Sequence, residues 1–273
     1  AKAAMDSGVA TRPLADMEAY RDQLANYVYR TGYVMKSVFE QATSDPKRLV
    51  YAEGEDWRVL QAVQMVSDEG FAEPILVGRA AVIDSRIETL GLRIKRGDHF
   101  EVCDPEDDPR YRDYWETYHR LMARRGVTPD LARAILRTNT TAIAAIMVHR
   151  EEADSMICGT FGEYRWHLNY ITQVLGGGGF EPNGALSLMI LEDGPLFLAD
   201  TQVWTEPTPE QIAKTVIGAA RHVRRFGLTP QIALCSRSQF GNQNDGTGPR
   251  IRAALDILDS ETRDFVYEGE MHV

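Results

Sequence analysis

Residues 154–179 read DSMICGTFGEYRWHLNYITQVLGGGG, and this stretch decides the fold. Ser155–Cys158 is a short apolar run; its length and the glycine after it predict a buried strand. Gly159, Thr160 and Gly162 predict a tight small-residue turn. From Tyr164 to Leu175, Leu168, Ile171 and Leu175 recur at helical spacing. A strand that ends in a glycine-bearing turn and feeds a helix puts backbone N–H groups and a positive helix end at the carboxyl edge of a sheet. That is where open α/β sheets bind anionic ligands. A plain β–α connection uses the same residues, so the neighbouring segments decide between the two. Gly176–Gly179 is no dinucleotide fingerprint, since no strand precedes it, and reads as a connector.

Outward from this centre the chain alternates. An amphipathic helix is predicted over Leu14–Gln41, followed by a strand at 48–52, a helix carrying Val59, Leu60, Val63 and Val66, a strand at 74–78 and a helix over 80–91. A third strand is predicted at 99–105, a helix from Glu106 to Gly126, another from Pro129, and an apolar helix over 139–150 that delivers the chain to the central strand. Such alternation predicts a parallel sheet covered on both faces. Later come strands at 184–192 and 196–200, joined by Asp193-Gly194-Pro195. A helix follows, opened by the capping box Thr208-Pro209-Glu210-Gln211. Strands at 231–235 and 265–271 flank a polar, glycine-rich loop at 236–250, and Glu268-Gly269-Glu270 reads as an acidic turn. A domain seldom ends on an unreturned strand, so the fold reads as truncated after Val273.

The 273 residues carry a formal net charge of −10, which argues against a nucleic-acid or anionic-membrane surface. No run reaches membrane-spanning length and no signal peptide is visible. Cys103, Cys158 and Cys235 have no pairing or metal spacing, which suits a reduced, cytoplasmic setting; Cys158 and Cys235 read as small buried hydrophobes. No histidine or aspartate cluster has metal-ligand spacing. Glu53, Glu55 and Asp56 either line a cleft or stabilise a helix start. Cys158 with His167 as a nucleophile–base pair is a remote option.

Four stretches together resemble the phosphate acetyl/butyryltransferases: RLVYAEGEDWRVLQAV (48–63), PILVGRAAVI (74–83), ICGTFGEYRWHL (157–168) and the blocks LFLAD, IALCSRS and YEGEM within 196–271. DSGVATRPLADMEAY (6–20) and CDPEDDPRYRDYWETYHRLMARRGVTP (103–129) are similar, more narrowly, to the carboxy-terminal part of the large bacterial NADP-dependent malic enzymes. That resemblance implies an α/β fold of two lobes, each an open sheet with helices on both faces, related to the isocitrate/isopropylmalate dehydrogenases. It implies a linker from a preceding malic enzyme domain at 1–13, a first lobe at 14–157 and a second at 158–273. It also implies acetyl-CoA or a related acyl-CoA as ligand, and a homodimer, or a hexamer in the full-length protein. No cofactor is expected in this domain; NADP and a divalent metal belong to the malic enzyme domain.

The departures bear on activity. Active transacetylases resemble this chain except at two arginines, whose matching positions are Met122 and Asn169; Arg120, Arg124 or Arg165 would serve if the match slips by a residue. Acyl transfer next to phosphate asks for fixed cations. The family's Ser-Arg segment with its nearby Asp falls beyond Val273. The expectation is a non-catalytic, acyl-CoA-sensing regulatory domain, with an active phosphate acetyltransferase as the alternative. A dehydrogenase of the isopropylmalate type is disfavoured, because no aspartates at helical spacing could hold a divalent metal. The expected ligand contacts are Gly159, Thr160, Asn169, Asp200, Thr201, Ser236, Arg237 and Ser238. No catalytic residue and no metal ligand is assigned.

Overall fold

The computed structural model describes residues 30–176, 184–191, 194–242, 246–260 and 264–272, with Met5, Gly8, Asp16 and Tyr20 as isolated positions. Apart from Met5 and Gly8, the expected linker 1–13 lies outside the described residues, as do most of residues 14–29 of the helix expected over Leu14–Gln41, Gly177–Gly179 and Asp193. The elements are α1 (Arg30–Ser44), β1 (Lys47–Tyr51), α2 (Trp57–Glu69), β2 (Ala72–Val77), α3 (Ala80–Leu90), β3 (Glu101–Cys103), α4 (Tyr111–Met122), α5 (Pro129–Thr138), α6 (Thr140–His149), β4 (Ser155–Ile157) and α7 (Tyr164–Leu175). They continue with β5 (Leu186–Leu191), β6 (Gly194–Ala199), α8 (Pro209–Arg225), β7 (Gln231–Ser236), α9 (Gly248–Asp259) and β8 (Val266–His272). Two compact units result, 40–182 and 1–39 with 183–273. The division thus falls at 182/183, not at 157/158, because α7 packs on α6 and the central sheet instead of opening the second lobe.

The unit formed by 40–182 is a four-stranded sheet in the order β3-β2-β1-β4, parallel throughout. Side chains alternate across it. Val50, Ala52, Ile75, Val77 and Cys103 point to one face and pack with Tyr114, Tyr118, Leu136, Ile146 and Val174 from the helices α4–α7. Tyr51 and Leu76 point to the other, against Val59, Leu60, Val63, Ile83 and Ile87 of α2 and α3. This is the covered parallel sheet that the alternation implies. Helix α6 is apolar around its whole circumference, and Thr141–Met147 are buried without interruption, which makes it a core helix. No single helix among the described residues is long and apolar enough to cross a membrane.

Three expectations change here. The run 155–158 is neither central nor fully buried: β4 is an edge strand, paired only to β1 among the described strands, and Ile157 is exposed. The helix expected from Glu106 begins at Tyr111, because Asp104 and Asp108 accept backbone N–H groups of Glu106 and Arg110 and hold 104–110 as a turn. Cys235 is exposed, while Cys103 is buried and Cys158 half-buried.

In the other unit, β5 and β6 form an antiparallel hairpin and β7 pairs parallel with β8 through the crossover α9. Ala213, Val216, Leu234, Ile251 and Leu258 form its core. Helix α8 starts with the expected reciprocal cap: Thr208 Oγ1 accepts from Gln211 N, and Gln211 Oε1 accepts from Thr208 N. Glu268-Gly269-Glu270 is no turn; it lies inside β8, and Glu270 is completely buried.

Candidate functional site

The carboxyl edge of the parallel sheet collects the loops after β1, β2, β3 and β4. Those after β1 and β3 carry carboxylates, and the chain spends several of them on its own donors. Glu53, buried, accepts the Gly159 N–H at 2.9 Å. Glu55 accepts the Arg79 N–H and both arms of its guanidinium, and Asp104 accepts the Ala80 N–H, so two carboxylates fill the start of α3. Asp56 caps α2 and chelates Arg58. The Arg79 guanidinium, with its backbone N–H, holds the Glu55 carboxyl below the usual range, and Arg58 does the same to Asp56. Glu53, Glu55 and Asp56 therefore serve as loop and helix-start anchors.

The loop 158–163 is pinned three times. Glu53 takes its Gly159 N–H, Arg58 donates to the Thr160 carbonyl at 2.9 Å, and His167 Nε2 donates to the Phe161 carbonyl at 2.8 Å. A carbonyl only accepts, so the His167 proton sits on Nε2 and Nδ1 accepts the Thr141 hydroxyl, also at 2.8 Å. The imidazole thus ties α7 to the start of α6 and to the loop. Gly162 makes room for it: at φ +91° a β-carbon would lie 2.9 Å from His167 Nε2. Cys158 is not paired with His167. Burial pushes its thiol up to about 11, assisted by the nearby Glu53 charge, so the nucleophile option falls.

The predicted ligand residues of this unit separate. The Gly159 N–H is already used, Thr160 lies in the pinned loop with a buried Oγ1 that finds no partner among the described residues, and Asn169 is exposed on α7. Met122 is 5% exposed and packed in the apolar core, so its position offers no cation to solvent. Arg120 is turned onto Thr117, and Arg124 and Arg165 are exposed.

In the hairpin unit the loop after β7 is built around Glu270. Its carboxylate accepts Ser238 Oγ at 2.7 Å, Gly241 N at 3.0 Å and Arg252 Nη1 at 2.6 Å, with Ser236 Oγ at 3.4 Å. Burial pushes this carboxyl up, but the donors prevail and hold it below its ordinary range. Gly248 is required here, since a β-carbon would meet Glu270 Oε2 at 2.3 Å. Three further loop amides are engaged: Ser238 N with Ser236 Oγ, Gln239 N with Asn242 Oδ1, and Phe240 N with the Glu270 carbonyl. Ser236 and Ser238 therefore build the loop, and Arg237 is exposed beside them. Asp200, at φ +54°, accepts Val203 N and Trp204 N and so shapes its own turn; Thr201 is exposed and reaches Ser187. Nothing in the pattern of 265–271 singled out Glu270, because an acid beside glycine reads as a solvated turn. Among the described residues no group of three or more His, Cys, Asp or Glu is placed to hold a metal.

This fold is that of a known class. The chain belongs to the phosphate acetyl/butaryl transferase family, whose family model matches residues 33–273. Within it, the chain is 48% identical over 273 residues to an NADP-dependent malic enzyme of Salmonella typhimurium, covering 100% of this chain and 36% of that protein. A phosphate acetyltransferase of Synechocystis sp. is 28% identical over 236 residues, covering 85% of this chain and 33% of that protein. The chain thus spans about a third of the length of the curated relatives it matches. A phosphotransacetylase from Streptococcus pyogenes has the same fold, with a TM-score of 0.78 at 21% identity over 89% of this chain and 73% of that one.

Proposed function

We propose that this is the phosphotransacetylase-like regulatory part of a malic enzyme, which binds acetyl-CoA or a related acyl-CoA as an effector, takes part in oligomerisation and does not itself transfer acetyl groups. The observation that carries the non-catalytic part is Met122. Where the transacetylase resemblance calls for an arginine, this chain has a core side chain, and Asn169 at the second such position brings no charge. A phosphate and a developing oxyanion in one site need fixed cations. The internal use of the edge donors adds support, since Gly159, Arg79, Ala80 and Gly241 N–H groups all face carboxylates of the chain. The higher identity to a malic enzyme than to a phosphate acetyltransferase favours the regulatory assignment. NADP and a divalent metal would then act in the remainder of the longer protein, in a cytoplasmic setting.

For ligand contacts, Thr160 and Asn169 in one unit, and Arg237 and Thr201 in the other, stay as the proposed set. The test pairs calorimetry with acetyl-CoA and an assay for acetyl-CoA formation from acetyl phosphate and CoA. Binding without turnover is expected. Sustained turnover, abolished by a substitution at one of these residues, would establish the alternative, an active phosphate acetyltransferase, which the 28% relative and the shared family keep in view.

A further inference from the structure

Among the helix starts at the carboxyl edge of the parallel sheet, that of α6 carries a buried side-chain donor left over once the internal carboxylates are assigned. Helix α2 is capped by Asp56, and α3 by Glu55 and Asp104. Helix α6 has no carboxylate at its start. It leaves α5 at a bend of 106° and runs back toward the beginning of β4, so its first turn stands at the same edge as the loop 158–163. His167 joins the two directly, with Thr141 on one ring nitrogen and Phe161 on the other.

The cap of α6 is Asn139, which is 4% exposed. Its Oδ1 accepts the Ala142 N–H at 3.0 Å, which fixes the amide orientation, because an NH2 group could not occupy that position. Its Nδ2 is therefore turned away from the helix, buried, and has no partner among the described residues; Thr160 Oγ1 is in the same condition. The N–H groups of Thr140 and Thr141 have no intrahelical acceptor at a helix start. An amide NH2 group and two backbone N–H groups thus stand at the positive end of a helix dipole, and the loop that His167 ties to it carries an unpartnered hydroxyl. A buried donor left unmade is costly, so such a set implies an acceptor.

We propose that this start of α6 receives the thioester carbonyl oxygen of acyl-CoA, with Asn139 Nδ2 as the principal donor and Thr160 Oγ1 beside it. This rests on the acyl-CoA reading above and deepens it. The chemistry favours a neutral carbonyl over a phosphate. The Glu53 carboxylate sits on Gly159 N and near Cys158, and Arg58 is committed to Asp56 and the Thr160 carbonyl. Burying a phosphate beside a carboxylate without a free cation is unfavourable, whereas a carbonyl asks only for N–H or O–H donors.

The test is calorimetry with acetyl-CoA and with free CoA, which lacks the carbonyl. The variants are Asn139→Asp and Asn139→Ser: each keeps an oxygen to cap Ala142 N while removing the NH2 group, and circular dichroism verifies folding. In Asn139→Asp, acetyl-CoA should weaken at least tenfold while CoA stays within twofold of wild type. Asn139→Ser should show the same selective loss to a smaller degree, and it carries the test if the aspartate variant does not fold. Acetyl-CoA bound equally by wild type and both variants would overturn the inference and leave the acyl-CoA reading standing; an internal water would then account for Nδ2. Equal weakening of both ligands would also overturn it. No binding of acetyl-CoA to the wild type would overturn the acyl-CoA reading itself, and this inference with it.

Discussion

Gly162→Ala is the sharpest probe of the loop, because its cost divides into two parts that a control separates. Gly159 and Gly162 both hold positive φ, at +97° and +91°, but only Gly162 has a neighbour where a β-carbon would go. At Gly159 nothing lies within 4 Å; at Gly162 the β-carbon would stand 2.9 Å from His167 Nε2. Forcing an L-residue into this backbone region costs about 1–2 kcal/mol, and that should be the whole cost of Gly159→Ala. Gly162→Ala should add the displacement of His167. Losing its two hydrogen bonds, at about 0.5–1.5 kcal/mol each, adds about 1–3 kcal/mol. The expected totals are therefore about 1–2 kcal/mol for Gly159→Ala and about 2–5 kcal/mol for Gly162→Ala. Urea unfolding followed by tryptophan fluorescence measures both, since Trp166 lies beside His167. In a His167→Ala background the excess should vanish and the two glycine substitutions should cost the same. Equal costs in the wild-type background would refute the three-point pinning of the loop.

The thiols should differ in reactivity with an aromatic disulfide reagent at pH 8. Cys235 is exposed and should react rapidly, while Cys103, pushed by burial up to about 12, and Cys158, up to about 11, should wait for unfolding; two fast thiols would contradict the burial assigned here. Arg48, through its guanidinium and backbone N–H, holds the Asp154 carboxyl at about 2 against an ordinary 3.8. A lowered carboxyl stabilises the fold above its ordinary value and loses that contribution as the pH falls through its folded value. Wild type and Asp154→Asn should thus differ in melting temperature at pH 4 and converge toward pH 2; a constant gap would count against the pair. Met189, Leu191, Leu196 and Leu198 leave the β5–β6 hairpin with an exposed apolar face, and two strands alone are marginal, so light scattering should show a homodimer that Leu196→Glu weakens. A monomer at micromolar concentration would contradict this.

Much of the fold was legible because the periodic signals were strong and local. The strand–helix alternation from Arg48 to Leu90 and the capping box at Thr208–Gln211 depend on neighbouring residues, and both appear where expected. Burial was less legible. Ser155–Cys158 is apolar enough for a core strand, but sheet order is set by distant pairing, and β4 stands at an edge. Glu53 and Glu270 look like surface acids, since nothing local shows that Gly159, Ser238 or Gly241 will supply donors from about thirty or over a hundred residues away. Asn139 was similarly hidden. A helix-capping asparagine reads as complete once Ala142 accounts for its oxygen, and only three-dimensional burial exposes the unused nitrogen.

The two units solve one electrostatic problem in the same way. A glycine-bearing loop at the carboxyl end of a strand presents N–H groups that attract an anion. In this chain the anion is a glutamate: Glu53 for the loop after β4 and Glu270 for the loop after β7. An internal carboxylate gives the loop one conformation without any ligand, but it also takes the donors that a phosphate would use. With a net charge of −10, the chain offers no general positive field to compensate. On the regulatory reading this division is useful. The uncharged donors at the start of α6 remain for an acyl carbonyl. A free phosphate meets carboxylates on the Gly159 and Gly241 N–H groups and no cation at Met122, which on this reading leaves acyl-CoA bound and not consumed.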